Sequence, residues 1–137
     1  HMDGLKRLMA CGVLALAAGV VGSGCTSHVT NFTPTALPRE ASGLYHFEAE
    51  WTSTQRTREL RADTIRGWVV LDHQFYPMEP VSRLKDRWES EVPIPASVNA
   101  VYYYFKWDYQ TAGFGHNNPN STRSKLYRVE VADPVSK

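Results

Sequence analysis

The sequence predicts an all-β fold, an antiparallel sandwich of about six to eight short strands, for residues 43–132. Several segments in this range alternate apolar and polar side chains with a period of two, which is the pattern of a half-buried strand. Turn-forming residues separate these segments. No segment after residue 25 has a sustained apolar pattern at helical spacing, so helices are not expected there.

The first strand is predicted at residues 44–51, where polar residues such as His46 and Glu48 occupy alternate positions. The residues between them are apolar and should face the core: Tyr45, Phe47, Ala49 and Trp51. A second strand at 64–71 is apolar on both faces, so we expect it in the centre of a sheet. Residues 55–63 offer little to bury and are expected to form a polar loop between these strands.

Four further strands complete the predicted sandwich. A short or edge strand at 74–78 should end near its prolines, because proline cannot donate a ladder hydrogen bond. Strands at 87–92 and 125–131 alternate cleanly between apolar and polar residues. The segment 100–109 is the richest in strand-forming residues, and one face should be buried: Val101, Tyr103, Phe105, Trp107 and Tyr109.

Residues 1–24 of this 137-residue chain are predicted to comprise a two-residue cloning scar and the export signal that follows it. A positive pair at residues 6 and 7 precedes an apolar stretch at 8–21, and the small residues Gly22, Ser23 and Gly24 follow. Small side chains before the cut suit a signal peptidase. The alternative, a transmembrane or buried helix, is disfavoured because spanning a bilayer takes about 20 apolar residues.

Cys25, at the end of this signal, resembles the acylated cysteine of the bacterial lipoprotein lipobox, although Gly22 stands where that family prefers an aliphatic residue. The resemblance implies lipidation of Cys25, for example by palmitate, and membrane attachment through an N-terminal lipid anchor. Because Thr26 rather than Asp follows, it also implies the outer membrane, with the domain facing the periplasm or the cell surface. Cys11 would be removed with the signal, so no disulfide is expected in the domain.

Residues 25–42 are expected to form a flexible tether, because prolines, serines and threonines outnumber large apolar side chains there. Residues 133–137 are expected to be a C-terminal tail. The formal net charge is only +1 and there is no basic stripe, so a nucleic-acid partner is not expected.

Three motifs in the predicted sandwich resemble an immunoglobulin-like fold of the early-set type, and more narrowly starch- and glycogen-binding modules. They are FYPM at residues 75–78, DRWESEVPIP at 86–95 and YYYFKWD at 102–108. The resemblance implies an immunoglobulin-like sandwich and a carbohydrate ligand. The turn that supplies a sugar-stacking Trp in those modules has no counterpart, because Asp72, His73, Gln74 and Phe75 occupy its place.

No enzyme site is expected, and no cofactor or metal. The histidines do not stand at metal-binding spacing with another ligand in the sequence, and His46 is most simply a solvated residue. Glu89 and Glu91 share a strand face, but a polar outer face explains them better than a glycosidase pair, which needs a deep cleft. There is no Gly-x-Ser-x-Gly elbow and no phosphate-binding loop.

Residues 112–121 are predicted to form a long recognition loop. An aromatic between two glycines and several hydrogen-bonding side chains make a composition typical of binding loops. The candidate binding residues are Phe114, His116, Asn117, Asn118 and Asn120. In the alternative interpretation, Phe114 folds back as a lid on the end of the sandwich.

The sequence therefore favours a non-enzymatic lipoprotein of the cell envelope whose sandwich binds a protein partner or supports an assembly. The second interpretation is a carbohydrate-binding module, with polysaccharide as its ligand. Its only plausible platforms are the four tryptophans, Trp51, Trp68, Trp88 and Trp107. Burial separates the two, because a sugar platform has to present a flat aromatic ring to solvent.

Overall fold

The computed structural model describes residues 27–53 and 60–133, and these ranges contain β-strands and turns. The strands, in chain order, are β1 (Ser27–Asn31), β2 (Ala36–Pro38), β3 (Leu44–Ser53), β4 (Leu60–Leu71), β5 (Gln74–Pro80), β6 (Arg87–Pro93), β7 (Ala100–Ala112), β8 (Asn117–Arg123) and β9 (Tyr127–Ala132). Within the described ranges, no helix is long and apolar enough to cross a membrane.

The strands form two layers. One layer has the order β1-β3-β6-β5 and the other β4-β7-β9-β2, with β8 added beside β7. Strand β5 joins the layers, because Gln74–Met78 pairs with β4 and Glu79 and Pro80 pair with β6. All pairs are antiparallel except β2 with β9. This order, with the first strand split between the two layers, is that of an immunoglobulin-like sandwich.

The core lies between β3 and β7, whose inward residues are aromatic. Phe47 meets Tyr103 edge to face, with centroids 4.8 Å apart. Trp51 stacks on Trp107 at 5.5 Å. These rings join the two strands that an inter-sheet disulfide links in antibody domains, and the described part of this chain contains no cysteine. The face predicted for the strongest strand is confirmed, because Phe105 is fully buried.

Gly67 in β4 makes room for two indole rings, Trp107 on the neighbouring strand of its own layer and Trp88 on the opposite layer. A Cβ atom at this position would lie 2.8 Å from Nε1 of Trp107 and 3.2 Å from Cε3 of Trp88. The first contact is too close for packed atoms and the second is tight, so a side chain here would force the rings to shift.

The flexible tether expected at residues 25–42 is wrong for the part that the structure describes. Ser27–Asn31 pairs with β3, and Ala36–Pro38 pairs with β9. Arg39 then donates hydrogen bonds to the carbonyl oxygens of Ala96 and Val131 and forms an ion pair with Asp133. Edge strands are held mainly by backbone hydrogen bonds, which amino-acid composition does not report. The proline, serine and threonine content therefore suggests a tether where the chain forms edge strands.

Two other boundaries differ from expectation. Of the polar loop predicted at 55–63, residues 55–59 lie outside the described ranges, but Leu60 and the residues up to Asp63 belong to β4. Strand β5 continues past Pro77 to Pro80 and has neighbours on both sides. The second predicted strand, now β4, is central as expected, and Val69 and Val70 on opposite faces are both buried.

Candidate binding groove

A groove of about 620 Å³ lies on the outer face of the β4/β7 layer, where the β4–β5 turn meets the start of β7. Its walls are mostly apolar. We use the term groove for the surface formed by Val70, Phe75, Tyr102, Tyr104, Leu126 and the turn residues Asp72 and His73.

The strand alternation that buries Phe105 also creates this groove. Because Tyr103 and Phe105 point into the core, Tyr102 and Tyr104 point outward on the same strand. Tyr102 is 60% exposed, Leu126 61% and Phe75 49%. Large apolar side chains scattered singly are ordinary on a protein surface, but several around one concavity are typical of an interaction site.

The turn that borders the groove has an unusual backbone for its residues. Leu71 pairs with Gln74, so Asp72 and His73 are the two central residues of a tight hairpin. Their φ angles are 50° and 63°, which is the left-handed region. Such turns strongly favour Asn-Gly, because glycine adopts positive φ without steric cost. His73 adopts positive φ despite its steric cost, and its imidazole lies on the wall of the groove.

Two cations border the aromatic surface. The ammonium nitrogen of Lys106 lies 5.5 Å from the ring centroid of Phe75, and the guanidinium carbon of Arg123 lies 5.7 Å from that of Tyr104. Lys106 also forms an ion pair with Asp108 at 3.1 Å. The margin of the apolar groove therefore carries two cations, one of them paired with Asp108, and Asp72 adds a carboxylate at the turn.

The four tryptophans proposed as sugar platforms are not equivalent. Trp51 and Trp107 are 1% and 0% exposed and cannot contact a ligand without unfolding. Trp68 and Trp88 are half-buried, and the ring of Trp68 packs edge-on against Phe75 with centroids 6.1 Å apart. The exposed aromatic rings of this layer are instead Tyr102 and Phe75.

The recognition loop predicted at residues 112–121 is largely a hairpin. Strand β7 extends to Ala112 and β8 begins at Asn117, so only four residues connect them. Phe114 is fully exposed, so the alternative in which it covers the core is wrong. Backbone pairing with β7 and side-chain hydrogen bonds, not a buried face, maintain this polar strand, and composition gives no sign of such pairing.

The candidate binding residues of that segment lie along the β7–β8 hairpin and not around the groove. Asn120 donates a hydrogen bond to Oγ1 of Thr111 at 2.9 Å, and Asn117 donates to Oε1 of Gln110 at 3.3 Å. Asn118 also lies on β8, and Phe114 and His116 lie in the connection at its tip. All are at the opposite end of β7 from Tyr102. The feature of the sequence that could have indicated the groove is the presence of aromatic residues on both faces of β7.

A polar cluster lies on the outer face of the other layer. His46 is bracketed by carboxylates, with Nδ1 3.0 Å from Glu91 and Nε2 3.1 Å from Glu48 and 3.6 Å from Glu89. His46 is exposed, as predicted, but it is bracketed by carboxylates that the sequence did not place beside it. Sequence spacing could not show this cluster, because β3 and β6 are brought together only by the register that pairs His46 with Glu91.

The electrostatics of the cluster are those of an ion-pair network. Burial lowers the pKa of His46, but hydrogen bonds to Glu48 and Glu91 and the charges of Glu91 and Glu89 outweigh it, so the pKa is raised. The hydrogen bond from Arg87 lowers the pKa of the Glu48 carboxyl. Ligand atoms of His46, Glu48 and Glu89 lie within 4.8 Å of one another, as a metal would require. Two of these groups, His46 and Glu48, already hydrogen-bond to each other, and Glu89 lies 3.6 Å from His46.

No protein-family model and no curated protein matches the chain. Among solved structures, it is similar to AggA, the major subunit of aggregative adherence fimbriae type I from Escherichia coli. The two are 13% identical, with a TM-score of 0.45, over 80% of this chain and 97% of AggA. It is also similar to murine CRIg, at 10% identity and a TM-score of 0.43, over 77% of this chain and 99% of CRIg.

Proposed function

We propose that the protein is a non-enzymatic lipoprotein of the cell envelope, and that its sandwich binds a protein partner through the groove. One observation carries the binding part of this proposal: Phe75, Tyr102 and Leu126 are all exposed around a single apolar concavity. A partner that covers such a surface removes apolar area from water, and this hydrophobic gain is the main driving force for protein association.

The chemistry of the groove favours a protein segment over a sugar. Val70, Val98 and Leu126 supply aliphatic walls, and the polar side chains Asp72 and His73 come only from the turn at one border of the groove. A sugar site instead combines its aromatic platform with a set of polar groups that fix the hydroxyls. The two cations at the margin of the groove, Lys106 and Arg123, would match acidic residues beside an apolar anchor. The expected partner therefore presents an apolar or aromatic side chain flanked by carboxylates.

The envelope location is proposed from the sequence. The export signal and Cys25 lie outside the described residues, and the first described strand begins at Ser27. A lipid on Cys25 would hold the sandwich at a membrane surface, where the domain would act by binding alone.

Site-specific photocross-linking in intact cell envelopes tests the groove. A photoreactive amino acid at position 102 should give a discrete protein adduct, and the same group at Glu91, on the opposite layer, should not. Phe75→Ala should abolish the adduct from position 102. Phe32→Ala is the matched control, since Phe32 is 43% exposed on the other layer, and it should leave the adduct unchanged.

The carbohydrate interpretation predicts a different outcome. Binding to starch or glycogen in affinity electrophoresis that is lost in Tyr102→Ala, without any cross-linked protein, would replace the protein partner by a sugar. Adducts that persist in Phe75→Ala would place the protein contact outside the groove and contradict the proposal.

A further inference from the structure

The start of β1 and the β7–β8 hairpin lie at the same end of the sandwich. Strand β1 is antiparallel to β3, and Ser27 pairs with Ser53 at the end of β3. Oγ of Ser27 lies 3.3 Å from Oγ1 of Thr122 on β8. Ser27 therefore lies beside the base of this hairpin, where Thr122 pairs with Trp107.

The hairpin continues well past that point. Strands β3 and β7 run in the same direction, because Phe47 meets Tyr103 and Trp51 meets Trp107. Thr122 pairs with Trp107, and pairing continues to Ala112 and Asn117. Those five residue steps correspond to roughly 17 Å at the usual strand rise of about 3.3 Å.

The segment between the proposed lipid and the domain is much shorter. Cys25 is two residues before Ser27, and two extended residues span at most about 7 Å. A lipid-anchored Cys25 would therefore bring the bilayer surface within reach of the hairpin. The tip of the hairpin would extend about 10 Å beyond the attachment point, if the strands stand along the membrane normal.

The tip has the chemistry of a membrane contact. Phe114 is fully exposed at its apex between Gly113 and Gly115. The hairpin carries no aspartate or glutamate between residues 109 and 123. An exposed aromatic side chain without carboxylates in its own hairpin suits the bilayer interface, since acidic residues would be repelled by anionic lipid.

We infer that the β7–β8 hairpin tip around Phe114 inserts into the headgroup region of the bilayer that holds the lipid anchor. This inference rests on the proposed lipidation of Cys25. It fixes the orientation of the domain: the groove lies at the start of β7, so it faces away from the membrane, toward a partner.

The test uses the mature lipidated protein in vesicles of phosphatidylethanolamine and phosphatidylglycerol. Phe114→Cys carries an environment-sensitive fluorophore, and Ser97→Cys, exposed in the 94–99 turn at the other end, is the matched control. The acylated thiol of Cys25 does not react with the label. The label at 114 should shift to the blue and be quenched by brominated lipid, and the label at 97 should do neither.

Flotation of the same vesicles separates the two proposals. Protein that floats while the label at 114 stays water-exposed contradicts the hairpin contact and leaves the lipid anchor intact. Protein that does not float contradicts the anchor and, with it, this orientation. Equal quenching at 114 and 97 would show that the domain lies flat, which also overturns the inference.

Discussion

The indole rings of Trp51 and Trp107 stack across the sandwich with an interplanar angle of 14°. They join β3 and β7, and each ring is almost wholly buried. Phe105 packs beside Trp107 with centroids 6.0 Å apart, and its other neighbour on the strand is Tyr103. A continuous row of rings on β7 therefore stabilises the contact between the layers.

Removing one ring of this row should cost much of the stability of the domain. Phe105→Ala should lower the free energy of unfolding by about 3–5 kcal/mol, because the cavity forms between rigid aromatic neighbours. Chemical denaturation measures this, with Tyr102→Ala as the control, since Tyr102 is 60% exposed on the same strand. Similar losses in both variants would contradict the assignment of the buried face.

A methyl group at Gly67 should also destabilise the fold. The added Cβ would lie 2.8 Å from Nε1 of the buried Trp107, so Gly67→Ala should cost about 1–3 kcal/mol by overpacking. At an uncrowded strand position the same change is favourable, because alanine suits a strand better than glycine. A stabilised Gly67→Ala protein, measured by thermal unfolding, would show that the Trp107 ring does not crowd this position as described.

The His46 cluster should make stability depend on pH near neutrality. The pKa of His46 is raised in the folded protein above its ordinary value of 6.5, so folding favours the imidazolium. This contribution is fully present below pH 6.5 and is lost as the pH rises through the folded-state pKa. The difference in unfolding free energy between the wild type and His46→Gln should therefore shrink from pH 6 to pH 8. A difference that grows over this range would contradict the ion-pair arrangement.

The β7–β8 hairpin should tolerate a shorter tip. Replacing residues 113–116 with Asn-Gly should leave the fold intact, since Ala112 and Asn117 are already paired and loop closure changes by less than about 2 kcal/mol. Circular dichroism and thermal unfolding check this. Unfolding of the shortened protein would mean that the tip has a structural role, despite the full exposure of Phe114.

The sequence predicts the sandwich well because period-two alternation reports burial directly. Tyr45, Phe47 and Phe105 all face the core as their positions in the pattern require. The pattern cannot report strands without a buried face. Strand β8, whose residues are mostly exposed, therefore has the sequence pattern of a loop, and β1 that of a tether.

The candidate site was harder to predict for a related reason. The groove combines Phe75 with Tyr102 and Leu126, which are distant in sequence and are brought together only by sheet order and turn geometry. The His46 cluster depends likewise on the register between β3 and β6. A local composition signal such as the Asn-rich segment identified exposed residues, but not residues that share a surface.

The lipid anchor on Cys25 underlies both the proposed location and the proposed orientation, and fractionation of cells that express the Cys25→Ser variant tests it most directly. The wild-type protein should sediment with membranes, and Cys25→Ser should be released into the soluble fraction, because stable anchoring depends on buried acyl chains. Cys11→Ser is the matched control and should remain with the membranes, since Cys11 lies within the predicted signal. Equal membrane partition of Cys25→Ser and the wild type, or efficient cleavage at another residue, would contradict the account.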